Sequence, residues 1–314
     1  MNNQYSGTVI GGVLNLRQAP STSAKRLAQI PSGTHLSITN FNPSGLWYIT
    51  NYNGYSGYVM KEFVSVSSSA ATWRYGQVNV NELNVRRRPL ISAARWNNVW
   101  PRGRIILIKD ANAEWYESLY RGQAAYIAKE FITILNTRVH DDIVQRMMFM
   151  AAAELHRNDA KYFNGYTGEW CHRFADWLLL NAGMPCEMIP NTSNCGKGIV
   201  WFINNQHSSG FFFKNPSHKA RFINKYDSVK HLAPVLSVAE NIYVPSPGDY
   251  LYLRWNNAPN QISVSHVCIV ASVKGNHLTT WEGNSGNKVA TRTYELIDDR
   301  IVGYGKPCYS FESQ

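Results

Sequence analysis

Up to about residue 135, apolar and polar positions alternate in short runs, with β-branched and aromatic residues separated by Gly, Pro, Asn and Ser. Leu14-Asn15-Leu16-Arg17 and Leu83-Asn84-Val85-Arg86 show the two-residue period of half-buried strands, and no stretch in this part sustains a helical period. From Val139 to His156 the pattern changes. The run V-H-D-D-I-V-Q-R-M-M-F-M-A-A-A-E-L-H places acidic residues first, apolar residues at helical spacing, and His156-Arg157 at its end, which predicts a helix. A second amphipathic helix is expected from about Cys171, with Gly183 as its terminating residue. Residues 185–247 show helical fragments without a clear architecture. The last part returns to strands in D-Y-L-Y-L-R-W, S-V-S-H-V-C-I-V-A-S-V and H-L-T-T-W-E-G-N. Helices followed by antiparallel strands predict an α+β domain.

The first 135 residues contain an internal repeat. Gly7 to Pro20 aligns with Gly76 to Pro89, and W-Y-I-T-N-Y-N-G-Y-S-G-Y-V-M-K-E-F from Trp47 aligns with W-Y-E-S-L-Y-R-G-Q-A-A-Y-I-A-K-E-F from Trp115. Two small β-barrels are therefore expected, with the gained and lost residues in loops and the small polar stretch Ser67 to Thr72 as a linker. Trp47-Tyr48 and Trp115-Tyr116 read as core and pairing residues, Tyr52 and Tyr55 as exposed binding candidates, and Arg86 and Arg88 as one solvated strand face.

A length of 314 residues, 44% of them hydrophobic and 13% aromatic, is ample for packed cores in two or three domains. No apolar run reaches the roughly 20 residues of a membrane span, and the N-terminus lacks the pattern of a signal peptide. Either the protein leaves the cell without such a peptide or the chain begins after one. The net charge of +10 divides into +3 for residues 1–68, +5 for 69–135 and +2 for 136–314. Such a basic N-terminal part suits either an anionic polymer or a solvated, soluble surface. Five cysteines are too few and too scattered for a disulfide framework.

The candidate chemistry centres on G-E-W-C-H-R-F-A-D-W. A thiol at a helix N-terminus meets the positive end of the peptide dipoles, which stabilises its thiolate. Thiol catalysis also needs a base, a polar group orienting that base, and oxyanion donors. His266 lies in a predicted strand, sharing a face with Cys268, and Glu282 and Asn284 share a face of the next strand. Antiparallel pairing could bring Glu282 or Asn284 to the His266 ring. Cys268 is a weaker nucleophile candidate because no helix end polarises it. Cys186, Cys195 and Cys308 read as packing or surface thiols, with a Cys186–Cys195 bridge conceivable under oxidising conditions. His172, about 100° around the helix from Cys171, reads as a rim residue.

Two resemblances attach to these motifs. The anchors V-x(4)-L-N-V/L-R, a following Pro, a mid-domain Gly, W-Y and a closing G-Y/A-Y-V/I resemble bacterial SH3 (SH3b) domains in both repeats. W-C-x-x-F-x-x-W, P-x-P-G-D-Y-L, S-H-V-C-I-V and E-G-N resemble the CHAP family of papain-like peptidoglycan hydrolases, from about Asp141 onward. Together they imply SH3b-like domains at 1–68 and 69–136 and a papain-like α+β cysteine hydrolase domain at 137–314. The implied catalytic residues are Cys171, His266, Glu282 and Asn284, with Trp170 and Trp281 expected against the substrate. The expected activity is cleavage of amide bonds in the peptide part of peptidoglycan, as amidase or endopeptidase.

An NlpC-type γ-D-glutamyl endopeptidase is the alternative, although its D-C-S-G motif is absent, and an inactive wall-binding protein is another. The expected partners are peptidoglycan and its anionic wall polymers, with neither nucleic acid nor membrane, for a monomer acting outside the cell or in the wall, with a cytoplasmic stage before release possible. The interval from Cys171 to His266 is long for a CHAP domain, so an insertion or substrate-facing elaboration is expected there. Some relatives bind calcium before the cysteine, but N-D-A-K-Y-F-N-G-Y-T-G offers only Asp159, and no metal or other cofactor is expected.

Overall fold

The computed structural model describes residues 5–40, 46–67, 73–158, 163, 168–205, 209–239, 243–255 and 263–309. Most of the expected linker, residues 68–72, and Asp159 lie outside them. The chain forms two compact units, one of residues 1–119 with 123–139 and the other of 120–122 with 140–314.

The first unit holds two sheets. One comprises β1 (Tyr5–Val9), β2 (Leu14–Arg17), β3 (Arg26–Ile30), β4 (His35–Asn40), β5 (Trp47–Tyr52), β6 (Tyr55–Met60) and β7 (Val64–Ser67). The other comprises β8 (Arg74–Val78), β9 (Glu82–Arg86), β10 (Arg95–Pro101), β11 (Ile105–Asp110), β12 (Trp115–Tyr120), β13 (Gln123–Ala128) and β14 (Ile132–Ile134). Their strand orders are β3-β2-β6-β5-β4-β1-β7 and β10-β9-β13-β12-β11-β8-β14, the same order advanced by seven.

The repeated residues do the same work in both copies. Gly7 and Gly76 carry no Cβ because one would press within 2.6 Å of Val64 in the first sheet and 2.7 Å of Ile132 in the second. Arg17 donates to the Ala24 carbonyl at 2.7 Å and Arg86 to that of Ala93 at 2.8 Å, so this arginine ties down a loop in each copy. Arg86 is therefore not part of a merely solvated face, and Arg87 lies over the Trp96 ring at 3.8 Å. Tyr48, Trp115 and Tyr116 are buried, whereas Tyr55 is exposed.

The second unit carries helices α1 (Ile143–Ala152), α2 (Cys171–Asn181), α3 (Cys195–Asn204) and α4 (Pro216–Lys225). Its strands are β15 (Gly210–Phe213), β16 (Ser237–Val238), β17 (Tyr250–Leu253), β18 (His266–Lys274), β19 (His277–Glu282), β20 (Ala290–Glu295) and β21 (Ile301–Lys306), in the order β16-β15-β21-β17-β18-β19-β20. Asp142 caps α1 by accepting from the Gln145 N–H at 2.9 Å. The helix stops at Ala152, before the expected His156, which adopts a left-handed φ of 68°. Gly183, with φ 102°, ends α2 as a left-handed C′ residue, and the Met184 N–H returns to the Leu179 carbonyl at 2.9 Å.

The stretch 185–247 is not a peripheral insertion. It supplies α3, α4 and two strands of the main sheet, with β15 paired to β21. Glycines let the layers close. Gly305 of β21 lies under the Phe202 ring of α3, where a Cβ would come within 2.5 Å, and Gly283, just after β19, lies under Phe174 of α2. The glycine of the E-G-N motif is thus a packing requirement between helix and sheet.

Candidate active site

Helix α2 begins with Cys171, and Trp170 at the N-cap makes no side-chain capping bond. The thiol is buried, at 3% exposure, with its sulfur 3.8 Å from that of Cys195 and the His266 ring near enough to act on its titration. Its pKa falls from 9.0 to about 4, chiefly through the bond from Cys195; burial opposes this, while the hydrogen bond and charge of His266 add to it. Cys171 is thus arranged as a thiolate at a helix N-terminus.

His266 opens β18 and is 5% exposed. Burial disfavours its charged ring, but hydrogen bonds to Cys171 and Glu282 outweigh burial and raise the pKa from 6.5 to about 9. Its Nε2 lies 3.2 Å from Oε2 of Glu282. Thr280 pairs with Val270, so Glu282 shares the sheet face of His266 and Cys268. Glu282 is fully buried, and its Oε1 accepts from the hydroxyls of Thr280 at 2.9 Å and Tyr294 at 2.7 Å. Burial raises its pKa, but the bonds from His266, Tyr294 and Thr280 hold the carboxyl below its ordinary value. Arg292 Nε adds a weaker ion pair at 3.5 Å.

Asn284 is placed differently. With φ 58° it turns out of the strand, and its amide donates to Glu169 rather than to the His266 ring. It lines a crevice of about 270 Å³ together with Trp255, His266, Ser285, Gly286 and Arg292.

Neither tryptophan expected against substrate occupies that crevice. Trp170 is 2% exposed and stacks on Phe163 at 5.1 Å between centroids, because an indole at this N-cap fills the aromatic core that Phe174 also enters. Trp281 pairs with Ile269 and therefore points to the sheet face opposite Glu282. The aromatic residue at the crevice is Trp255, 39% exposed, with its ring 5.7 Å from His266 and the guanidinium groups of Arg292 and Arg300 against it at 5.7 Å and 5.4 Å. It is the last residue of the motif D-Y-L-Y-L-R-W, an aromatic just beyond the strand end, the one sequence signal that pointed to it.

His172 is a core residue, not a rim residue. Fully buried, it sits between Asp176, 3.2 Å from Nδ1, and the Tyr252 hydroxyl, 3.0 Å from Nε2. Asp176 also accepts from Tyr250 at 2.9 Å and from the Thr192 N–H at 2.9 Å. Starting at the residue next to Cys171, this network bolts α2 to β17. None of the five cysteines is in a disulfide, and no Cys186–Cys195 bridge exists because Cys195 faces Cys171 at 3.8 Å. Cys186 instead accepts from the Asn191 amide at 3.2 Å. Cys268 is fully buried against the Leu251 carbonyl, and burial pushes its thiol pKa well up.

Residues 12–65, the larger part of the first sheet, match the profile of the bacterial SH3 domain. No curated protein matches the chain. Among solved structures, NlpC2 from Trichomonas vaginalis aligns with 99% of this chain and 100% of its own at 12% identity and a TM-score of 0.33. An NlpC/P60 family protein from Bacillus cereus aligns with 97% and 99% at 11% identity and 0.36. An NlpC/P60 endopeptidase from Photobacterium damselae subsp. piscicida aligns with 96% and 66% at 9% identity and 0.32.

Proposed function

We propose that the second unit is a cysteine hydrolase that cuts amide bonds in the peptide part of peptidoglycan, and that the SH3-like sheets engage the wall. The observation that carries the reading is the convergence of the Cys171 thiol, the His266 ring and the buried Glu282 carboxylate. The substrate class is supported by the bacterial SH3 match of residues 12–65 and by the CHAP-like order of motifs around the three residues.

In this mechanism the resting enzyme holds a Cys171 thiolate beside a His266 imidazolium. The sulfur attacks the amide carbonyl, forming a C–S bond, and the carbonyl electrons move onto oxygen. The Cys171 N–H at the start of α2 is placed to stabilise that oxyanion. With Nε2 committed to Glu282, Nδ1 is the His266 nitrogen left for the sulfur and for proton transfer. His266 protonates the leaving amine as the C–N bond breaks, leaving a thioester. A water molecule, deprotonated by His266, then hydrolyses the thioester and restores the ion pair. Glu282 orients the ring and balances its charge, as a triad carboxylate does. Asn284 and Trp255 shape the crevice in which the acyl group lies.

On the first unit, a groove of about 800 Å³ is lined by the exposed Ile91 and by Phe131 together with Arg86, Glu114 and Lys129. Apolar surface beside both signs of charge suits a peptide stem of the wall.

The test compares wild type with Cys171→Ala on purified walls. Loss of lysis with retained sedimentation supports the reading, and continued lysis by the variant overturns it. Mass spectrometry of the released fragments identifies whether an amidase or an endopeptidase bond is cut.

A further inference from the structure

A second cysteine is built into the site. Asp176 of α2 accepts from the Thr192 N–H, the Thr192 hydroxyl accepts from the Asn194 N–H at 3.2 Å, and Asn194 caps α3 by accepting from the Lys197 N–H at 2.9 Å. Hydrogen bonds thus run without a break from α2 to the first turn of α3. Gly198 lets α3 close onto α2 and β17, since any Cβ there would collide with His172 and come within 2.6 Å of the Tyr252 hydroxyl. Gly196 does the same against the Tyr226 ring. The outcome is that the first residues of two helices, Cys171 and Cys195, face each other with sulfurs 3.8 Å apart, both buried and both free.

The pair is asymmetric. Cys171 has the His266 ring as a second partner, whereas the field at Cys195 includes the Asp176 carboxylate. The thiol pKa of Cys195 lies well above its ordinary value, first through its bond to Cys171 and then through burial. With the His266 ring acting on Cys171 and the Asp176 carboxylate acting on Cys195, the surrounding charges favour the proton on Cys195 and the negative charge on Cys171.

We propose that Cys195 is a positioning residue whose thiol donates a hydrogen bond to the Cys171 sulfur and holds it as the attacking anion. This role rests on the reading of Cys171 as the nucleophile. The same S–H awaits the sulfur when the thioester is hydrolysed and Cys171 leaves as an anion. No electron or atom is transferred; the proton stays on Cys195 throughout.

The full-length wild type, Cys195→Ala and Cys195→Ser are treated with iodoacetamide over a range of pH, and alkylation of residue 171 is followed by mass spectrometry. Removing a hydrogen bond to a charged acceptor should move the inflection of the alanine variant up by about one to two pH units. The serine variant, still a donor, should remain near wild type. An unchanged inflection in the alanine variant overturns the proposal. If that variant fails to fold by circular dichroism, Cys171→Ala serves instead. The Cys195 inflection, read from thiolate absorbance, should then fall by about one unit or more once its anionic partner is gone. An inflection that does not fall overturns the proposal. Wall lysis is scored on the same wild-type preparation. A shifted inflection without lysis would remove the hydrolase reading and leave the thiol pair standing, while lysis with no shift would do the reverse.

Discussion

The Glu282 carboxylate takes the His266 ring at 3.2 Å on one oxygen and two hydroxyls, from Thr280 and Tyr294, on the other, while fully buried. A buried carboxylate with each oxygen occupied is ionised and fixed, and can hold one ring orientation. Glu282→Gln keeps the volume but removes the charge that favours the imidazolium. Its kcat/KM on a defined wall peptide should drop by roughly 10²- to 10⁴-fold. Asn284→Ala should cost far less, because Asn284 bonds to Glu169 and not to the ring. Equal losses in the two variants would reassign the orienting role.

The shifts at Cys171 and His266 set a pH window. The thiolate is lost as pH falls through the Cys171 value of about 4, and the proton for the leaving amine is lost as pH rises through the His266 value of about 9. A plot of kcat/KM against pH should be bell-shaped, with its plateau between these values. Glu282→Gln should pull the basic limb down, since hydrogen bonding and charge from Glu282 help hold the His266 value up. An acid limb near that of a free thiol, with no activity below pH 7, would argue against a preformed ion pair.

How much of this was legible before folding depended on whether a signal was local. The repeat was, because Gly7 with Gly76 and Arg17 with Arg86 answer to the same packing and loop constraints in each copy. Cys171, His266 and Glu282 were visible as a helix start and two paired strands. Cys195 was not, since its meeting with Cys171 depends on the Asp176–Thr192–Asn194 bonds and on Gly198, contacts that no periodicity encodes. The two tryptophans failed for the opposite reason. The resemblance put both against the substrate, but the helix cap turns Trp170 into the core and strand alternation turns Trp281 to the face opposite Glu282.

Gly198 offers a stability test independent of catalysis. The added methyl of Gly198→Ala would meet the His172 ring and the Tyr252 hydroxyl, both fully buried and hydrogen-bonded to each other. Overpacking there should lower unfolding free energy by about 1–3 kcal/mol in a urea titration. It should also push α3 outward, separate Cys195 from Cys171 and raise the alkylation inflection of residue 171. Gly275→Ala is the control. That glycine has φ 57° and open space around it, so its cost is backbone strain of roughly 1 kcal/mol without displacement of α3. Equal alkylation shifts in the two variants would break the link between α3 packing and the thiol pair.

Trp255 is the residue through which the crevice is expected to grip its substrate. Its ring stands 5.7 Å from His266 and is flanked by Arg292 and Arg300, yet 39% of the residue remains open to solvent. A half-exposed indole braced by two cations is a rigid apolar surface with little ordering cost on binding. Arg300 is itself held by Asp298 at 2.5 Å, so the brace persists without substrate. Trp255→Ala removes contact area but touches neither Cys171 nor Glu282. KM should rise by about tenfold, equivalent to roughly 1.4 kcal/mol of binding, with kcat nearly unchanged. A fall in kcat at constant KM would instead mean that the indole governs the His266 ring, and the substrate surface would have to be sought elsewhere along the crevice.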